Sequence, residues 1–580
     1  MSHSYQDFQK NSPISMTAIC ILGACIVFIC FAPLDYCKLI KPDEGRYAII
    51  AREMVVTKDW IVPRLNGLLY FEKPPLHYWM TAISFSLFGE NEWSARLWSA
   101  IAGMSGVLML FFAASRLFGR EVALYSALIL VSSIFYLSLS RINTVDMGLS
   151  LFMEIALMSM LLAQRDSATP KENRWWSYLM WVGLALAVLT KGPMGIILPA
   201  GIFICYLPFS KKFSHALTLI KKIHLGVGTL IFLAITAPWF IAISLRHPAF
   251  LKFFFVREHI ERFLTNAHNR DEVWWYLVPF LFFGFLPWTT FFLSLIQRKI
   301  RNEIFIGTNT HTSASNSTRF KPNLLLIIWS IFIFCFFSFS SSKLPTYVLP
   351  IYPALALLLG QVITKLTHRQ FFYQILIISI IALIALIFSP QIANYPARHT
   401  PQILYYNWSW WVIVAGSIWF CGSIGALIFA RYNKRLFSTI TMTLSFLLAT
   451  HLAISGYEEL APSFSSAYAA TKILPYLSKK STNNNSPNFY AVKTYDHTLP
   501  FYIKQRLILV NHTDEMEFGI VQEPEKWIET MEVFVQRWKQ EPGALALMTK
   551  GTYNELKKAS LPMKLIFEDS RRTIVLSPLN

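Results

Sequence analysis

Stretches of about 20 apolar residues recur along the first 455 residues of the chain, and short polar segments separate them. A helix needs roughly 20 apolar residues to cross the hydrocarbon core of a bilayer, and it satisfies its backbone hydrogen bonds internally. The pattern therefore predicts a polytopic α-helical membrane protein with about thirteen transmembrane helices. The predicted spans cover residues 15–34, 94–115, 122–140, 145–163, 175–189, 192–209, 225–246, 274–296, 323–341, 345–361, 371–389, 408–430 and 436–455.

Basic residues alternate between the connections that join these spans, which is the pattern of the positive-inside rule. With the N-terminus inside, the inner connections carry clusters of Lys and Arg, such as those at 211–222 and 431–435. The loops 35–93 and 247–273 and the segment after residue 455 are then predicted to lie outside. The short outer connections carry single basic residues, namely Arg141, Lys191, Lys343 and Arg398.

A change of composition after residue 455 predicts a second domain. The segment is polar, it contains a Ser/Asn-rich linker at 478–488, and period-two alternation follows the linker. We therefore expect a transmembrane domain over 1–455 and an α/β domain over 456–580. Strands are predicted at 488–495, 506–510, 544–548, 564–568 and 573–577, and helices at 526–540 and 553–561.

Composition narrows the classes of function. The chain has 580 residues, 54% of them hydrophobic, and a formal net charge of +19. Because Lys and Arg cluster in the predicted inner connections, topology and anionic headgroups explain this charge, and no nucleic-acid partner is expected. Six of the seven cysteines lie in apolar runs, so no disulfide framework is predicted. The chain has no Walker loop and no G-x-G-x-x-G, which favours a membrane-borne substrate over a soluble nucleotide.

The first outer loop is unusually rich in charge. We predict a helix over Asp43–Thr57, because Pro42 is a good helix start and both Asp43 and Glu44 fall at its positive end. Segment 75–88 is predicted to form an interfacial helix. One interpretation is an amphipathic helix at headgroup level with solvated charges. The alternative is a site, since adjacent acids near an anionic surface need a cation, a metal or a ligand to offset their desolvation.

Glu72 and Lys73 form a second charged cluster in the same loop. Two prolines follow them, and these make the backbone stiff and bias Lys73 away from helix. A rigid turn is one way to fix a charged pair beside a ligand. The alternative is a weak surface ion pair at the rim of the loop.

Further charged and hydroxyl residues fall on the same predicted side of the membrane. Asp146 begins an apolar span, where an acid suggests a functional site unless it only caps the helix. Glu154 lies eight residues deeper, near the same helical face. Together these residues favour an anionic, membrane-embedded substrate such as a lipid phosphate. The remaining members of this set are Lys191, His259, Arg262, Lys343 and Tyr347.

Several of these segments resemble one known family. The motifs KPDEGRYA, YFEKPP, LTKGPMG, FFFVREHIERF and SSKLPTYVLPIYP, with YDHTLPFYIKQRLILV in the tail, are similar to those of the lipid A aminoarabinose transferases. These enzymes are polyprenyl-phosphate-sugar glycosyltransferases of the GT-C fold, related to protein O-mannosyltransferases. The resemblance implies a GT-C membrane domain with a periplasmic α/β domain, acting as a monomer in the inner membrane of a Gram-negative bacterium.

The resemblance also implies a reaction. The sugar, 4-amino-4-deoxy-L-arabinose, would move with inversion from undecaprenyl phosphate to a lipid A phosphate. This change modifies lipopolysaccharide and gives resistance to cationic antimicrobial peptides. The motifs DEGRYA and FEKPPLHYW, with Gly45 and Pro75–His77, also resemble less characterised relatives of the family, so another sugar or another acceptor stays open.

The family motifs assign roles to residues of this chain. Asp43, Asp146 and Glu44 are implied to be catalytic. Glu72 and His259 are implied to bind a divalent metal, zinc or another. The family's arginine matches either Arg262 or Arg257, and Arg262 is favoured because it shares a helix face with His259. The implied ligands of the lipid phosphate are Lys73, Arg262, Tyr347, Lys343, Lys191 and Arg46.

Two other functions stay open. One is a related transferase that acts on another glycan or on protein; with a hydroxyl acceptor, Asp43 would be the general base. The other is a transporter of lipid-linked sugar. Transporters tend to show repeated halves and broken helices at mid-membrane, whereas the charges here cluster in the outer loops.

Overall fold

The structure, a computed structural model, describes residues 16–210, 213–261, 272–305, 320–395, 399–477 and 487–578. Helices dominate up to Leu477. The principal helices are Met16–Phe31, Asp43–Thr57, Leu76–Phe88, Glu92–Leu117, Arg120–Ser132, Ile134–Leu139, Val145–Gln164, Pro170–Lys191, Met194–Tyr206, Phe213–Lys222, Leu225–Arg246, Lys252–Glu261 (a π-helix), Leu277–Gly284, Phe292–Ile296, Arg298–Phe305, Pro322–Phe339, Tyr352–Lys365, His368–Phe388, Gln402–Arg431, Arg435–Ser455 and Ala467–Leu477.

The helices confirm a polytopic membrane architecture. Within the described ranges, eight helices are long and apolar enough to cross a membrane, and a pair bent by 103° makes a ninth if it is one span. Each of these coincides with a predicted span. The four other predicted spans are also helical but do not pass the same test. For example, Met16–Phe31 has 16 residues, and the predicted span 122–140 is interrupted at the extended residue Ser133.

One helix forms the centre of the bundle. Val145–Gln164 has 94% of its apolar window buried, and it packs between Glu92–Leu117 and Pro170–Lys191. Close approach is possible because Gly183 has no side chain: a Cβ there would lie 2.9 Å from the Phe152 carbonyl oxygen. The helix Val145–Gln164 is therefore held firmly within the bundle.

The tail contains the predicted α/β fold, and all five predicted strands are present. Strands β1 (Arg64–Leu65) and β2 (Leu68–Leu69) form a small hairpin in the first loop. The strands of the tail are β3 (Phe489–Val492), β4 (Ile508–Val510), β5 (Leu545–Met548), β6 (Lys564–Glu568) and β7 (Thr573–Leu576). The sheet order is β4-β3-β5-β7-β6. β3 runs parallel to both β4 and β5, whereas β7 is antiparallel to β5 and β6. The main helices of the sheet domain are Leu499–Ile503, Glu517–Gln522, Met531–Gln540 and Lys550–Lys558.

The first-loop helix Asp43–Thr57 and the tail share one hydrophobic core. Tyr47 and Ile50 from the helix lie in the same buried cluster as Phe489 and Leu499 from the tail. At Gly45 a Cβ would lie 2.2 Å from the His497 carbonyl oxygen, so the tail approaches the helix backbone directly. The tail is thus packed onto the loop that carries the predicted site.

A buried ion pair inside the tail gives a pH prediction. Arg572 Nε lies 2.8 Å from Asp496 Oδ2, and both side chains are almost fully buried. Burial alone would raise the pKa of Asp496, but the Arg572 guanidinium and hydrogen bonds from Arg572 and Thr498 outweigh it and hold this pKa well below its usual value. Because the folded-state pKa is depressed, the pair's stabilisation is present above about pH 4 and is lost as the pH falls further.

We expect Asp496→Asn to destabilise the full-length protein by about 2–4 kcal/mol at pH 7 and to weaken the loss of stability on acidification. Thermal unfolding between about pH 3 and pH 7 measures both effects. Glu555→Gln is the matched control, because Glu555 pairs with Lys493 on the surface and should change stability by less than about 1 kcal/mol. Equal stability losses in the two variants would contradict the prediction.

Candidate active site

A cavity of about 910 Å³ lies between the central helices, the first-loop helix and the tail. Part of its lining is apolar, with Leu149, Leu198 and Phe337 among the contributors. The rest is polar or charged, and it brings together eight of the eleven predicted site residues. These eight are Asp43, Arg46, Glu72, Lys73, Asp146, Lys191, His259 and Tyr347.

Asp146, Lys191 and Tyr347 meet although they come from three separate segments. Lys191 Nζ contacts Asp146 Oδ1 and lies 4.9 Å from the centroid of the Tyr347 ring. Thr144, not Asp146, is the cap of the central helix, since its hydroxyl accepts a hydrogen bond from the Asp146 amide at 3.4 Å. The carboxylate of Asp146 is therefore directed to a cation at the cavity wall, as a functional acid would be.

Asp43 is the first residue of the helix that the sequence predicted, and the bounds Asp43–Thr57 are confirmed. Its side chain is 52% exposed and lies 3.4 Å from Arg46 Nη1. Arg46 Nη2 also lies 2.6 Å from Glu515 Oε2, and His497 Nε2 lies 2.9 Å from Glu515 Oε1. Asp43 thus stands at the cavity with an accessible carboxylate, while Arg46 links the helix to the tail.

The sequence reasoning did not identify the tail residues of the cavity. His497 follows β3, and Asp514 and Glu515 follow β4. Because β3 and β4 are parallel neighbours, the loops after them emerge at the same sheet edge, where ligands bind in open α/β sheets. The sequence feature that could have identified these residues is a predicted strand followed by a charged loop.

Glu72 and Lys73 both line the cavity. Lys73 Nζ donates a hydrogen bond to the Glu72 carbonyl oxygen at 2.9 Å, and the side chains of both residues are about 14% exposed or less. The helix Leu76–Phe88 begins directly after the two prolines. The charged pair is therefore held at the wall and is not a solvated rim of the loop.

Glu72 and His259, the two residues implied to bind a metal, both line the cavity. His259 Nδ1 lies 2.6 Å from the Phe254 carbonyl oxygen, and a backbone carbonyl is a common partner for the second ring nitrogen of a metal-ligating histidine. Within the described ranges, however, no three His, Cys, Asp or Glu side chains are grouped closely enough to hold a metal ion. To hold a metal ion, Glu72 and His259 would need further ligands.

Glu44, implied to be catalytic, is buried against Arg96 and does not face the cavity. Its side chain is 2% exposed and forms a bidentate ion pair with Arg96, at 2.7 and 2.8 Å. It is not part of the cavity lining. The catalytic assignment of Glu44 is therefore corrected, because all of its acceptor capacity is used inside the protein.

Lys343 was predicted to bind the phosphate, but it does not line the cavity. Lys343 is 7% exposed and its Nζ donates to the carbonyl oxygens of Glu272 and Ser340 at 2.8 Å each, so it braces a loop and does not line the cavity. Arg262 lies outside the described residues. Arg257, the other candidate for the family's arginine, does line the cavity and contacts Glu517 of the tail.

Gly45 and Pro75–His77, whose motifs also resemble the less characterised relatives, are not among the residues that line the cavity. Gly45 lies beneath the His497 carbonyl, and His77 is fully buried with its Nε2 2.9 Å from Asn143 Oδ1. Neither belongs to the cavity lining. These residues therefore do not form part of the cavity surface.

Two family models match this chain. The model described as "Aminoarabinose transferase C-terminal domain" matches residues 477–577, and the one described as "Dolichyl-phosphate-mannose-protein mannosyltransferase" matches residues 72–241. Both matches fall on segments that line the cavity or pack against it.

Known arabinosyl transferases, and the solved structure of one protein named ArnT, are similar to this chain over more than half of its length. An undecaprenyl phosphate-alpha-4-amino-4-deoxy-L-arabinose arabinosyl transferase of Proteus mirabilis is 30% identical over 72% of both chains. One from Aeromonas hydrophila is 33% identical, and the match spans 58% of its length and 58% of this chain. The crystal structure of ArnT from Cupriavidus metallidurans bound to undecaprenyl phosphate has 34% identity and a TM-score of 0.88, and the match covers 97% of this chain and 98% of that one.

The bundle, the charged cavity and the tail domain define a polytopic helical membrane protein with the GT-C fold of membrane glycosyltransferases. Within that class, the chain belongs to the family of the undecaprenyl phosphate-α-4-amino-4-deoxy-L-arabinose arabinosyl transferases.

Proposed function

We propose that this protein transfers 4-amino-4-deoxy-L-arabinose from undecaprenyl phosphate to a phosphate group of lipid A. The observation that carries the proposal is a single cavity in which Lys73 and Lys191 stand with Asp43 and Asp146 beside an apolar wall. The cations suit a lipid phosphate and the apolar wall suits its chain. The Cupriavidus metallidurans relative, which binds undecaprenyl phosphate, supports the choice of donor.

The cations act on the leaving group. An oxygen of the acceptor phosphate attacks the anomeric carbon, the bond from that carbon to the undecaprenyl phosphate oxygen breaks, and the electron pair leaves with this phosphate. The configuration at the carbon inverts. Lys73 and Lys191 stabilise the charge that develops on the departing phosphate, with Tyr347 beside them at the wall. The contact between Lys191 and Asp146 orients the ammonium before the substrate arrives.

The role of Asp43 follows from the acceptor. A phosphate is already an anionic nucleophile, so the reaction needs no strong general base. Asp43 then orients the acceptor or binds the ammonium of the donor sugar, for which a half-exposed carboxylate at the cavity is suited. With a hydroxyl acceptor, the same carboxylate would instead remove the proton.

The finer topology belongs to the same proposal. Thirteen spans over 1–455, with the N-terminus in the cytoplasm, would place the cavity and the domain 456–580 in the periplasm of a Gram-negative inner membrane. The distribution of Lys and Arg and the position of the tail above the cavity support this arrangement. One chain supplies the cavity walls described above, which supports a monomer. With further ligands, Glu72 and His259 would hold a divalent metal, which would supply positive charge to the cavity.

The reaction can be tested with purified protein in lipid nanodiscs and the undecaprenyl-phosphate aminopentose as donor. Lipid A with both phosphates, with one and with none serves as a matched acceptor series. We expect transfer to the phosphorylated acceptors and none to the dephosphorylated one. Transfer that does not need an acceptor phosphate would overturn the proposal and favour a related transferase with another acceptor.

A further inference from the structure

A buried charge network lies directly beneath the cavity. Glu44 Oε1 accepts hydrogen bonds from Arg96 Nε at 2.7 Å and from the Asn143 amide at 3.0 Å. Its Oε2 accepts from Arg96 Nη2 at 2.8 Å and from the Ile40 amide at 2.9 Å. Arg96 is fully buried. A single carboxylate therefore joins three segments of the chain through four hydrogen bonds.

Arg96 fixes the backbone that leads into the first-loop helix. Its Nη1 donates to the carbonyl oxygens of Leu34 and Cys37 at 2.8 and 2.7 Å, and its Nη2 donates to that of Lys38 at 3.2 Å. The segment is thus wrapped around one guanidinium. An arginine is suited to this because its planar group offers five donors in a fixed geometry.

Asn143 extends the network to the next helix. Its Nδ2 donates to the Glu44 carbonyl oxygen at 3.4 Å, and this orients its Oδ1 toward His77 Nε2 at 2.9 Å. Burial lowers the pKa of His77 to about 4 and outweighs the hydrogen bond with Asn143, so the ring is neutral near pH 7 and Nε2–H donates. His77 lies in the helix Leu76–Phe88.

Three of the segments that the network joins carry a residue of the cavity. Glu44 is adjacent to Asp43, Asn143 precedes Asp146 in the same short segment, and His77 follows Lys73 in the first loop. The helix of Asp43 has no side-chain cap, because Pro42 occupies its N-cap position. An uncapped first turn tends to fray, so the position of Asp43 depends on the ion pair of the neighbouring Glu44.

We propose that Arg96 and Asn143, acting through Glu44, are positioning residues that set the separation of Asp43, Asp146 and Lys73 across the cavity. Arg96, Asn143 and Glu44 are absent from the cavity lining, so they act through the groups that touch substrate. The proposal rests on the proposed transfer reaction, since it assigns these three cavity residues to that reaction.

The first test is Glu44→Gln. The amide replaces one acceptor oxygen by an N–H₂ group, which faces donors from Arg96 and from either Ile40 or Asn143 and cannot accept from them. We expect kcat for aminopentose transfer to fall about a hundredfold, the effect of a misplacement of roughly 1 Å in an active site. KM for the donor and the Kd for undecaprenyl phosphate should stay within about threefold of wild type, because the attraction between the lysines and a phosphate weakens only slowly with distance, whereas the reacting atoms need accurate placement.

Glu53→Gln is the matched control. Glu53 lies on the same helix, is 4% exposed, and accepts from the Gly67 amide at 2.8 Å and from Arg506 at 3.0 Å. Within the described part of the chain, Glu53 is not a lining residue of the cavity, and these two partners are not lining residues either. We expect this variant to lower Tm while kcat stays within about threefold of wild type. Equal losses of kcat in both variants, in proportion to Tm, would show a merely structural role and overturn the proposal.

Asn143→Ala provides a second variant if Glu44→Gln does not fold. It removes the link to His77 and keeps the backbone amide that donates to Glu44. We expect kcat to fall about tenfold at unchanged donor KM, and a wild-type kcat would overturn the proposal. Transfer by the wild-type protein in the same assay tests the reaction itself, so failure of the proposed function and failure of the positioning role give different results.

Discussion

Asp43→Asn is expected to lower kcat for sugar transfer up to about a thousandfold and to leave Tm almost unchanged. The carboxylate stands at the cavity, where its charge orients the acceptor or the donor ammonium. Little folding energy depends on it, because the side chain is 52% exposed and its contact with Arg46 is 3.4 Å long. Transfer assays and thermal unfolding of the purified variant measure the two effects.

Asp59→Asn is the control for this prediction. Asp59 lies in the same loop and is absent from the cavity lining. Its Oδ1 accepts from the backbone amides of Ile61 and Val62, which an asparagine oxygen can also do, and its ion pair with Arg246 is on the surface. We expect nearly wild-type transfer. Full activity of Asp43→Asn would contradict the assignment of the site.

Lys191→Met is expected to remove transfer and also to destabilise the protein by about 3–5 kcal/mol. The substitution leaves the Asp146 carboxylate, which is 8% exposed, without its contacting cation. It also removes one of the charges proposed to hold the departing phosphate. Thermal unfolding, transfer rates and the Kd for undecaprenyl phosphate report these losses separately.

A double variant separates the loss of stability from the loss of transfer. Lys191→Met with Asp146→Asn removes both charges, so we expect most of the lost stability to return. Transfer should stay absent, because the cation that faces the phosphate is still missing. If transfer returned together with stability, the ion pair would be structural, and the proposed catalytic arrangement would be wrong.

Local signals made the first loop predictable. Pro42, the paired acids and the apolar spacing predicted the helix Asp43–Thr57, and the structure has these bounds. The strands of the tail were predictable for the same reason, since period-two alternation is a local property. Such elements can be read from the chain because neighbouring residues determine them.

The ion pair of Glu44 and Arg96 could not be predicted from neighbouring residues in the sequence. Its two residues are 52 positions apart, and Arg96 lies near the start of a long apolar helix. An acid beside Asp43 therefore looked like a second catalytic group. What distinguishes Glu44 from Asp43 is burial, a property of the packed structure.

Apolar length also concealed breaks in the helices. The predicted span 274–296 contains a bend of 103° between Leu277–Gly284 and Trp288–Ile296. Pro287 lies in this bend, where its missing N–H and fixed φ disfavour a continuous helix. Hydropathy detects that such a segment is apolar, but packing against neighbouring helices determines its path.

The contribution of the tail to the cavity is a tertiary property as well. Glu515 contacts Arg46 from a position more than 450 residues away. Sequence reasoning found the strands on either side of these loops but had no means to place the sheet above the first-loop helix. The parallel pairing of β3 and β4 brings the two loops together.

Mass spectrometry of lipid A tests the central claim most directly. A Gram-negative strain that makes the undecaprenyl-phosphate aminopentose but lacks its own transferase would express this chain, with Asp43→Asn as the matched inactive control. The proposed function predicts lipid A that carries one added aminopentose on a phosphate with the wild-type chain and none with the variant. Unmodified lipid A in cells that contain the folded wild-type protein and the donor would contradict it.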